Sequence, residues 1–215
     1  MRRDYDPAEL GAAAVYPLLT SVVLPRPIAW ISTRSTEGVD NLAPHSFFTI
    51  SSVDPPVVQF TSVGGKDSLR NAVATGEFVA CLCPEDLVEQ VNLTGTAFPP
   101  HVSEYDAVGL QREPSRLVAP PRVASSPVAL ECRVVGTHDF GGGSTVVFGQ
   151  VVWIAVAERV LREDRPVVDL LKPLARLGAD EWSTVGEVSS RARVPYAPVD
   201  LPVDRPVGSA PAAGR

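Results

Sequence analysis

Apolar and polar residues alternate with a period of two along most of the chain, and prolines and glycines interrupt the pattern at short intervals. Such alternation is typical of β-strands whose two faces have different surroundings. The sequence therefore predicts a mainly β fold with short helices. The predicted strands are residues 22–32, 47–52, 57–62, 78–83, 128–137 and 145–158.

The last two predicted strands carry the clearest alternation. In strand 128–137, one face carries Val128, Leu130, Cys132 and Val134, and the opposite face carries Glu131 and Arg133. Three consecutive glycines at 141–143 then allow a tight reversal into strand 145–158. This part of the chain predicts an antiparallel β-hairpin.

Two short helices are predicted between the strands. The first contains apolar residues at helical spacing, with Asp67 or Ser68 as its cap and Gly76 at its end. The second begins at Pro84, which the first helical turn tolerates, and runs to Gly95. Short strands with crossover helices fit a small closed barrel with helices packed outside it, since closure removes exposed sheet edges. The same periodicity is also compatible with a sandwich of two sheets.

Length and composition favour one globular domain. The chain has 215 residues, and 45% of them are hydrophobic, which is enough to bury a full core. Residues 1–192 form the predicted domain. Residues 193–215 contain five prolines and few large apolar residues, so this tail is either disordered or draped over a neighbouring surface.

Charge and motif content exclude several classes of partner. A net charge of -6 argues against nucleic-acid binding, which needs a concentrated basic face. No apolar run is long enough for a membrane span and no signal peptide is recognisable, which predicts a cytoplasmic protein without a membrane partner. The histidines do not fall at metal-ligand spacing, so no metal site is predicted. Cys81, Cys83 and Cys132 are interpreted as reduced thiols of the core.

Two segments carry candidate chemistry. Residues 41–48 offer backbone amides, small side chains and aromatic rings in a predicted loop that Pro44 prevents from becoming a regular helix. Such a loop suits a flat ring system with polar edges, although an ordinary tight turn explains it equally well. Residues 65–71 place Lys66 beside a helix start, which suits a phosphate. The alternative is a capped surface helix with a solvated lysine.

Several fragments, in this order and spacing, resemble the flavin reductase-like family. The resemblance runs from about Tyr16 to Gly186. It is carried by Arg26-Pro27-Ile28-Ala29-Trp30-Ile31-Ser32-Thr33, Asn41-Leu42-Ala43-Pro44-His45-Ser46-Phe47-Phe48, Asp54-Pro55-Pro56, Lys66-Asp67-Ser68-Leu69-Arg70-Asn71, Gly76-Glu77-Phe78-Val79, Ser103-Glu104-Tyr105-Asp106, Ser126-Pro127-Val128-Ala129-Leu130-Glu131-Cys132 and Arg176-Leu177-Gly178. The resemblance implies an FMN-binding split β-barrel, usually a homodimer with the flavin near the subunit interface.

The same resemblance implies a set of cofactor-binding residues. The amides of the first segment face the polar edge of the flavin ring, and Lys66 and its neighbours hold the phosphate. Phe47 and Phe48 point in opposite directions, so one belongs to the core and the other borders the cofactor. The implied set is Ser32, Thr33, Asn41, Leu42, Ala43, Ser46, Phe48, Lys66, Asp67 and Ser68. His101 is a weaker candidate on the substrate side, and no catalytic residue is assigned.

The implied activity is that of a flavin reductase using NADH or NADPH as the reductant. Because the chemistry resides in the two cofactors, no catalytic triad is expected. Reduced FMN then either serves a partner monooxygenase or stays bound and reduces a small organic acceptor. Two alternatives remain open from the sequence: an FMN-dependent oxidoreductase acting on an organic metabolite, and a flavin-binding barrel without turnover.

Overall fold

The computed structural model describes residues 1–196, in which seven antiparallel strands form the main sheet. These strands are β1 Ala29–Arg34, β2 Asp40–His45, β3 Phe48–Val53, β4 Pro56–Val63, β5 Glu77–Leu82, β6 Val128–Asp139 and β7 Ser144–Val156. The helices of the same residues are α1 Pro7–Leu10, α2 Ala12–Val22, α3 Asp67–Thr75, α4 Val88–Leu93, α5 Glu104–Ala107 and α6 Val168–Leu171, with 3-10 turns at Glu85–Leu87 and Glu158–Val160. The predicted mainly β fold with short helices is confirmed.

The order of the strands explains the shape of the sheet. Along the sheet they follow the order β2, β1, β5, β6, β7, β4, β3. The two outer strands, β2 and β3, are consecutive in the chain and only Ser46 and Phe47 join them. The sheet therefore curls on itself, and the end of β2 reaches β4, where His45 Nδ1 lies 3.4 Å from the carbonyl oxygen of Thr61.

Alternate residues of each strand enter two apolar clusters on opposite faces of the sheet. Trp30 belongs to one cluster and Ile31 to the other, and both are fully buried. The first cluster also receives Tyr105 and Val91 from the surrounding helical segments. The two clusters place a helix-covered layer outside the strands and a second core within the curl.

Five of the six predicted strands are confirmed to within two residues of each end. The prediction of a strand over 22–32 is wrong in its first half, because α2 continues to Val22 and two prolines, Pro25 and Pro27, delay the main strand until Ala29. The loop predicted at 41–48 is also wrong over most of its length, since residues 41–45 lie in β2 and Phe48 begins β3. Pro44 is tolerated there because β2 is an outer strand and needs no N–H at that position.

The predicted end of α3 is confirmed, whereas its predicted N-terminal cap is wrong. Gly76 ends α3 in the left-handed conformation with φ of 74°, as expected. Its N-cap residue is Lys66, however, and neither Asp67 nor Ser68 caps the helix. Asp67 instead forms an ion pair with Arg70 at 2.6 Å. The sequence does not predict α1, α2, α5 or α6.

A small three-stranded sheet joins the two ends of the described chain. It consists of Arg26–Pro27, Ala175–Arg176 and Trp182–Ser183, with the middle pair in the centre. The other two-residue strands are Arg112–Glu113 with Arg122–Val123, and Leu161–Arg162 with Arg165–Pro166.

Residues 193–196 of the predicted tail are exposed and have no regular secondary structure, while the remainder of that prediction lies outside the described residues. Within residues 1–196, no helix is both long and apolar enough to cross a membrane.

Candidate functional site

A cleft of about 480 Å³ opens where β2 passes into β3. The barrel contributes residues 44–47 together with Thr61 and Val63 of β4. A second wall is formed by α4 and the following turn, through Asn92, Leu93, Gly95 and Thr96. Tyr16 of α2 and two residues of the small sheet, Arg176 and Trp182, form an outer wall. A cavity of this size falls within the range of roughly 300–1,000 Å³ that is usual for small-molecule and cofactor sites.

Lys66 provides positive charge at the inner end of the cleft. It is exposed, lines the cleft, and forms no ion pair with another described residue. As the N-cap of the nine-residue α3, it precedes backbone N–H groups that have no partner within the helix. The ammonium group and the positive end of the helix dipole therefore favour an anion at the same place.

His45 fixes the start of α3 against β2. Its Nε2 lies 2.8 Å from Ser68 Oγ, and its Nδ1 faces the carbonyl oxygen of Thr61. Because a carbonyl oxygen only accepts, Nδ1 carries the proton and Ser68 donates its hydroxyl to Nε2. Burial, with the nearby charge of Lys66, lowers the pKa of His45 to about 4. The ring is therefore neutral near pH 7, and the Ser68 hydroxyl points into the protein rather than into the cleft.

A buried polar cluster behind β2 engages several residues that were predicted to bind the cofactor. Glu104 of α5 accepts hydrogen bonds from Asn41 Nδ2 at 2.8 Å and from the Leu42 N–H at 2.9 Å. Thr33 Oγ1 donates to Asn41 Oδ1 at 3.3 Å and accepts from Asn71 Nδ2 at 3.3 Å. Burial raises the pKa of Glu104, whereas the hydrogen bond from Leu42 opposes that change. These donors are used within the protein.

The structure separates the predicted site residues into two groups. Ser46 and Lys66 line the cleft, together with Phe47 rather than the predicted Phe48, which packs against the core. Asp67 and Ser68 lie at the start of α3 without lining the cleft. Away from it lie Ser32, Thr33, Asn41, Leu42 and Ala43 on β1 and β2, and the exposed His101. The Ser32 hydroxyl accepts a hydrogen bond from the Tyr105 hydroxyl at 2.9 Å.

Arg26 supports the cleft from behind without lining it, a role that the sequence did not indicate. It is 7% exposed, and its guanidinium donates to the carbonyl oxygens of Thr20, Val23 and Leu177. Its Nε also reaches Ser46 Oγ at 3.4 Å. Burial lowers the pKa of Arg26, and the charge of nearby Arg176 lowers it further. Arg26 thus ties α2 and the small sheet to the floor of the cleft.

The remaining missed residues are Tyr16, Arg176, Trp182 and Glu104. Their only signal in the sequence was a place in or beside the fragments that carry the family resemblance, since nothing local indicates that they face a cleft or a buried donor. Within residues 1–196, no group of three or more His, Cys, Asp or Glu side chains is arranged to hold a metal ion.

Comparison with known proteins gives a consistent family and fold. The family described as flavin reductase like domain matches residues 21–175. Nitrilotriacetate monooxygenase component B from Bacillus cereus is similar with a TM-score of 0.84 and 30% identity, over 89% of this chain and 99% of that one. For the 2-nitrobenzoate 2-nitroreductase NbaA from Pseudomonas fluorescens the TM-score is 0.80 and the identity 32%, over 93% of this chain and 98% of the other.

A putative flavin reductase with a split barrel domain from Shewanella frigidimarina shares the fold, with a TM-score of 0.77 and 21% identity over 88% of this chain and 96% of that chain. The split-barrel fold expected from the sequence resemblance is therefore confirmed.

Proposed function

This chain belongs to the flavin reductase-like family, a family of flavin-related oxidoreductases, and from that premise we propose that it binds FMN in the cleft and uses NADH or NADPH to reduce it. The observation that carries the proposal is the position of Lys66, an unpaired cation among the described residues, at a helix start that opens into a cleft of suitable size. When bound, the flavin accepts a hydride from the nicotinamide, so the chemistry belongs to the cofactors.

The residues of the cleft fit FMN. Lys66 and the first amides of α3 suit the phosphate, and the hydroxyl groups of Ser46, Thr61 and Thr96 suit a polyol chain. The ring of Phe47 gives an apolar surface for a flat ring system. The buried residues of the predicted set, such as Asn41, then act from behind by holding β2 in place.

The task of the chain itself is to bind and orient the flavin and the nicotinamide and to exclude water from them. His45 stays neutral and keeps the start of α3 in register with β2, so that Lys66 faces the cleft. Arg26 holds Ser46 and the outer wall together. None of these tasks requires a proton-transfer triad.

Replacement of Lys66 tests the location of the phosphate. Lys66→Ala removes a charge-assisted contact of about 1.5–3 kcal/mol, which corresponds to a loss of roughly 10- to 100-fold in FMN affinity. FMN affinity is measured by quenching of flavin fluorescence. Lys172→Ala is the matched control, because Lys172 is the one other lysine of the sequence and pairs with Glu85 outside the cleft. Equal affinities in the two variants would place the phosphate elsewhere, and a wild-type protein that binds no FMN would refute the proposal.

Stopped-flow mixing of the FMN-loaded protein with NADH or NADPH tests the reductase step. Bleaching of the flavin band by either nucleotide is expected. Bleaching by dithionite alone would leave a flavin-binding barrel without nucleotide-dependent turnover.

A second candidate function is the reduction of an organic acceptor by flavin that stays bound. The outer wall favours it, because Arg176 and Trp182 extend the cleft beyond the residues that FMN needs. The similar NbaA is a 2-nitrobenzoate 2-nitroreductase, whereas the similar component B belongs to a monooxygenase. Retention of FMN on the protein during turnover, measured by gel filtration, supports the bound-flavin function, and release supports supply to a partner monooxygenase.

We also propose a homodimer. Leu19 and Val22 of α2 and its C-cap residue Val23 are each more than half exposed, so that they present an apolar patch beside the cleft. A solution mass of twice the 22.9 kDa chain is expected by light scattering.

A further inference from the structure

We propose that the outer part of the cleft binds the carboxylate of an aromatic acid, with Arg176 as the anion-binding residue and Trp182 and Tyr16 beside the aromatic ring. The proposal rests on the proposed function in one respect only: FMN occupies the inner part, next to Lys66. The proposal names aromatic acids as the class of electron acceptor that the flavin site serves.

The small sheet places two arginines directly opposite each other. Arg26 pairs in register with Arg176, and Arg176 pairs in turn with Trp182 on the third strand. Side chains of directly paired residues lie on the same face of a sheet. Like charges in this arrangement destabilise a sheet, and the hydrogen bonds that Arg26 makes to carbonyl oxygens leave the charge of Arg176 uncompensated.

No carboxylate within the described residues neutralises this pair closely. The hydrogen-bond acceptors of the buried Arg26 are three carbonyl oxygens and the Ser46 hydroxyl, all of them uncharged. The nearest acid to Arg176 is Asp180, whose carboxylate lies 3.7 Å away and is fully exposed to solvent. An exposed pair at this distance contributes little and yields to a better-placed anion.

The donors of Arg176 remain available to a ligand. Nη2 donates to the carbonyl oxygen of Ala179 at 3.0 Å, which fixes the plane of the group, whereas Nε and Nη1 have no acceptor among residues 1–196. Its carbon Cζ lies 4.7 Å from the centre of the Trp182 ring, so the indole covers one face of the guanidinium. A planar fork held in this way matches the two oxygens of a carboxylate.

The flanking side chains indicate an aromatic ligand. Trp182 and Tyr16 line the same outer wall, and Tyr16 is 54% exposed in a position where a ring can pack on it. This subsite is distinct from the phosphate position. The two positions lie on different elements, because Arg176 belongs to the small sheet whereas Lys66 is the N-cap of α3.

Calorimetric titration of the FMN-loaded protein with benzoate and with its neutral analogue benzamide tests the subsite. Benzoate is expected to bind roughly tenfold or more tightly than benzamide, because only benzoate offers an anionic acceptor pair. Arg176→Gln should remove this preference while its FMN affinity stays close to that of the wild type. Arg162→Gln is the control, because Arg162 is an exposed arginine paired with Asp169 outside the cleft, and it should retain the preference.

Asp180→Asn is a second variant that leaves the binding residue in place. Removing the competing internal acid should strengthen benzoate binding by about two- to threefold, in keeping with the small value of an exposed ion pair. Equal binding of benzoate and benzamide to the FMN-loaded wild type would overturn the subsite. Binding of inorganic pyrophosphate that depends on Arg176, without such dependence for benzoate, would also overturn it and assign the position to a nucleotide phosphate.

Titration of the FMN-free protein separates this proposal from the previous one. If the protein binds no FMN but still prefers benzoate through Arg176, the proposed function fails and the subsite stands. If it binds FMN without any preference for benzoate, the subsite fails and the flavin site stands.

Discussion

Glu104 holds the outer strand β2 through two buried donors, and its removal is predicted to destabilise the whole domain. The carboxylate is 4% exposed and accepts hydrogen bonds from Asn41 Nδ2 and from the Leu42 N–H. Glu104→Ala leaves both donors without an acceptor from the protein. The outer edge of β2 then loses its main connection to α5.

The magnitude follows from these two contacts. A buried donor without a partner costs about 1–3 kcal/mol, which gives roughly 2–6 kcal/mol for the pair. Two effects reduce this sum, because water can reach the enlarged space and because the buried carboxylate no longer has to be desolvated, a cost that its raised pKa reports. We therefore expect a loss of about 2–4 kcal/mol, or about 5–15 °C in Tm for a chain of this length. Glu104→Gln keeps one acceptor and should lose about half as much.

The free energy of unfolding is measured by urea titration at pH 7, with Tm from the same preparations. Asp106→Ala is the matched control on the same helix, because Asp106 pairs with Arg112 at 2.7 Å but its side chain is 71% exposed, so its loss should stay below about 1 kcal/mol. A Glu104→Ala protein as stable as the Asp106→Ala protein would refute the reasoning. In a double-mutant cycle, Asn41→Ala should cost less in the Glu104→Ala background than in the wild type.

Two further predictions concern the barrel and its pH dependence. A Cβ atom at Gly149 would lie 2.3 Å from Phe78 Cζ, so Gly149→Ala should lower the free energy of unfolding, measured in urea, by about 1–3 kcal/mol. Gly136→Ala on the neighbouring strand should cost less, because a Cβ atom there would have nothing within 4 Å. Equal losses in the two variants would contradict the packing argument. His45 has a folded pKa of about 4 against an ordinary value of 6.5, so the unfolded chain takes up the proton first and stability is lost as the pH falls from about 6.5 towards 4. Urea midpoints across this window should fall less steeply for His45→Gln than for the wild type, and identical slopes would show that His45 does not contribute.

The strands could be predicted because their signal is local. The β6 and β7 hairpin alternates over most of its length, interrupted by register shifts at Phe148/Gly149 and Val151/Trp153, and it turns at three glycines. The α2 helix could not be predicted, because its sequence is apolar on most sides and contains Pro17, which is unusual inside a helix. Contacts with distant segments hold it in place: Ser21 closely approaches Gly178, and the carbonyl oxygen of Thr20 accepts a hydrogen bond from Arg26.

Among the residues that line the candidate cleft, Lys66 can be proposed from the sequence because a cation beside a helix start is a local signal. Residues whose partners come from distant segments carry no such signal. Ser103-Glu104-Tyr105-Asp106 was noted as a fragment, but only the fold shows that Glu104 turns inward to Asn41 while Asp106 stays in solvent. Arg176 was likewise noted without chemistry, because its neighbour Arg26 is remote in the sequence.

The small sheet that completes the cleft draws its strands from opposite ends of the described chain, and this has a consequence for synthesis. A chain emerges from the ribosome with its N-terminal residues first. The barrel strands are all present once residue 156 has emerged, but the outer wall still lacks Arg176 and Trp182. The finished cleft therefore arises only after Trp182 has emerged, and a product terminated before Trp182 would contain every strand of the main sheet and an open cleft.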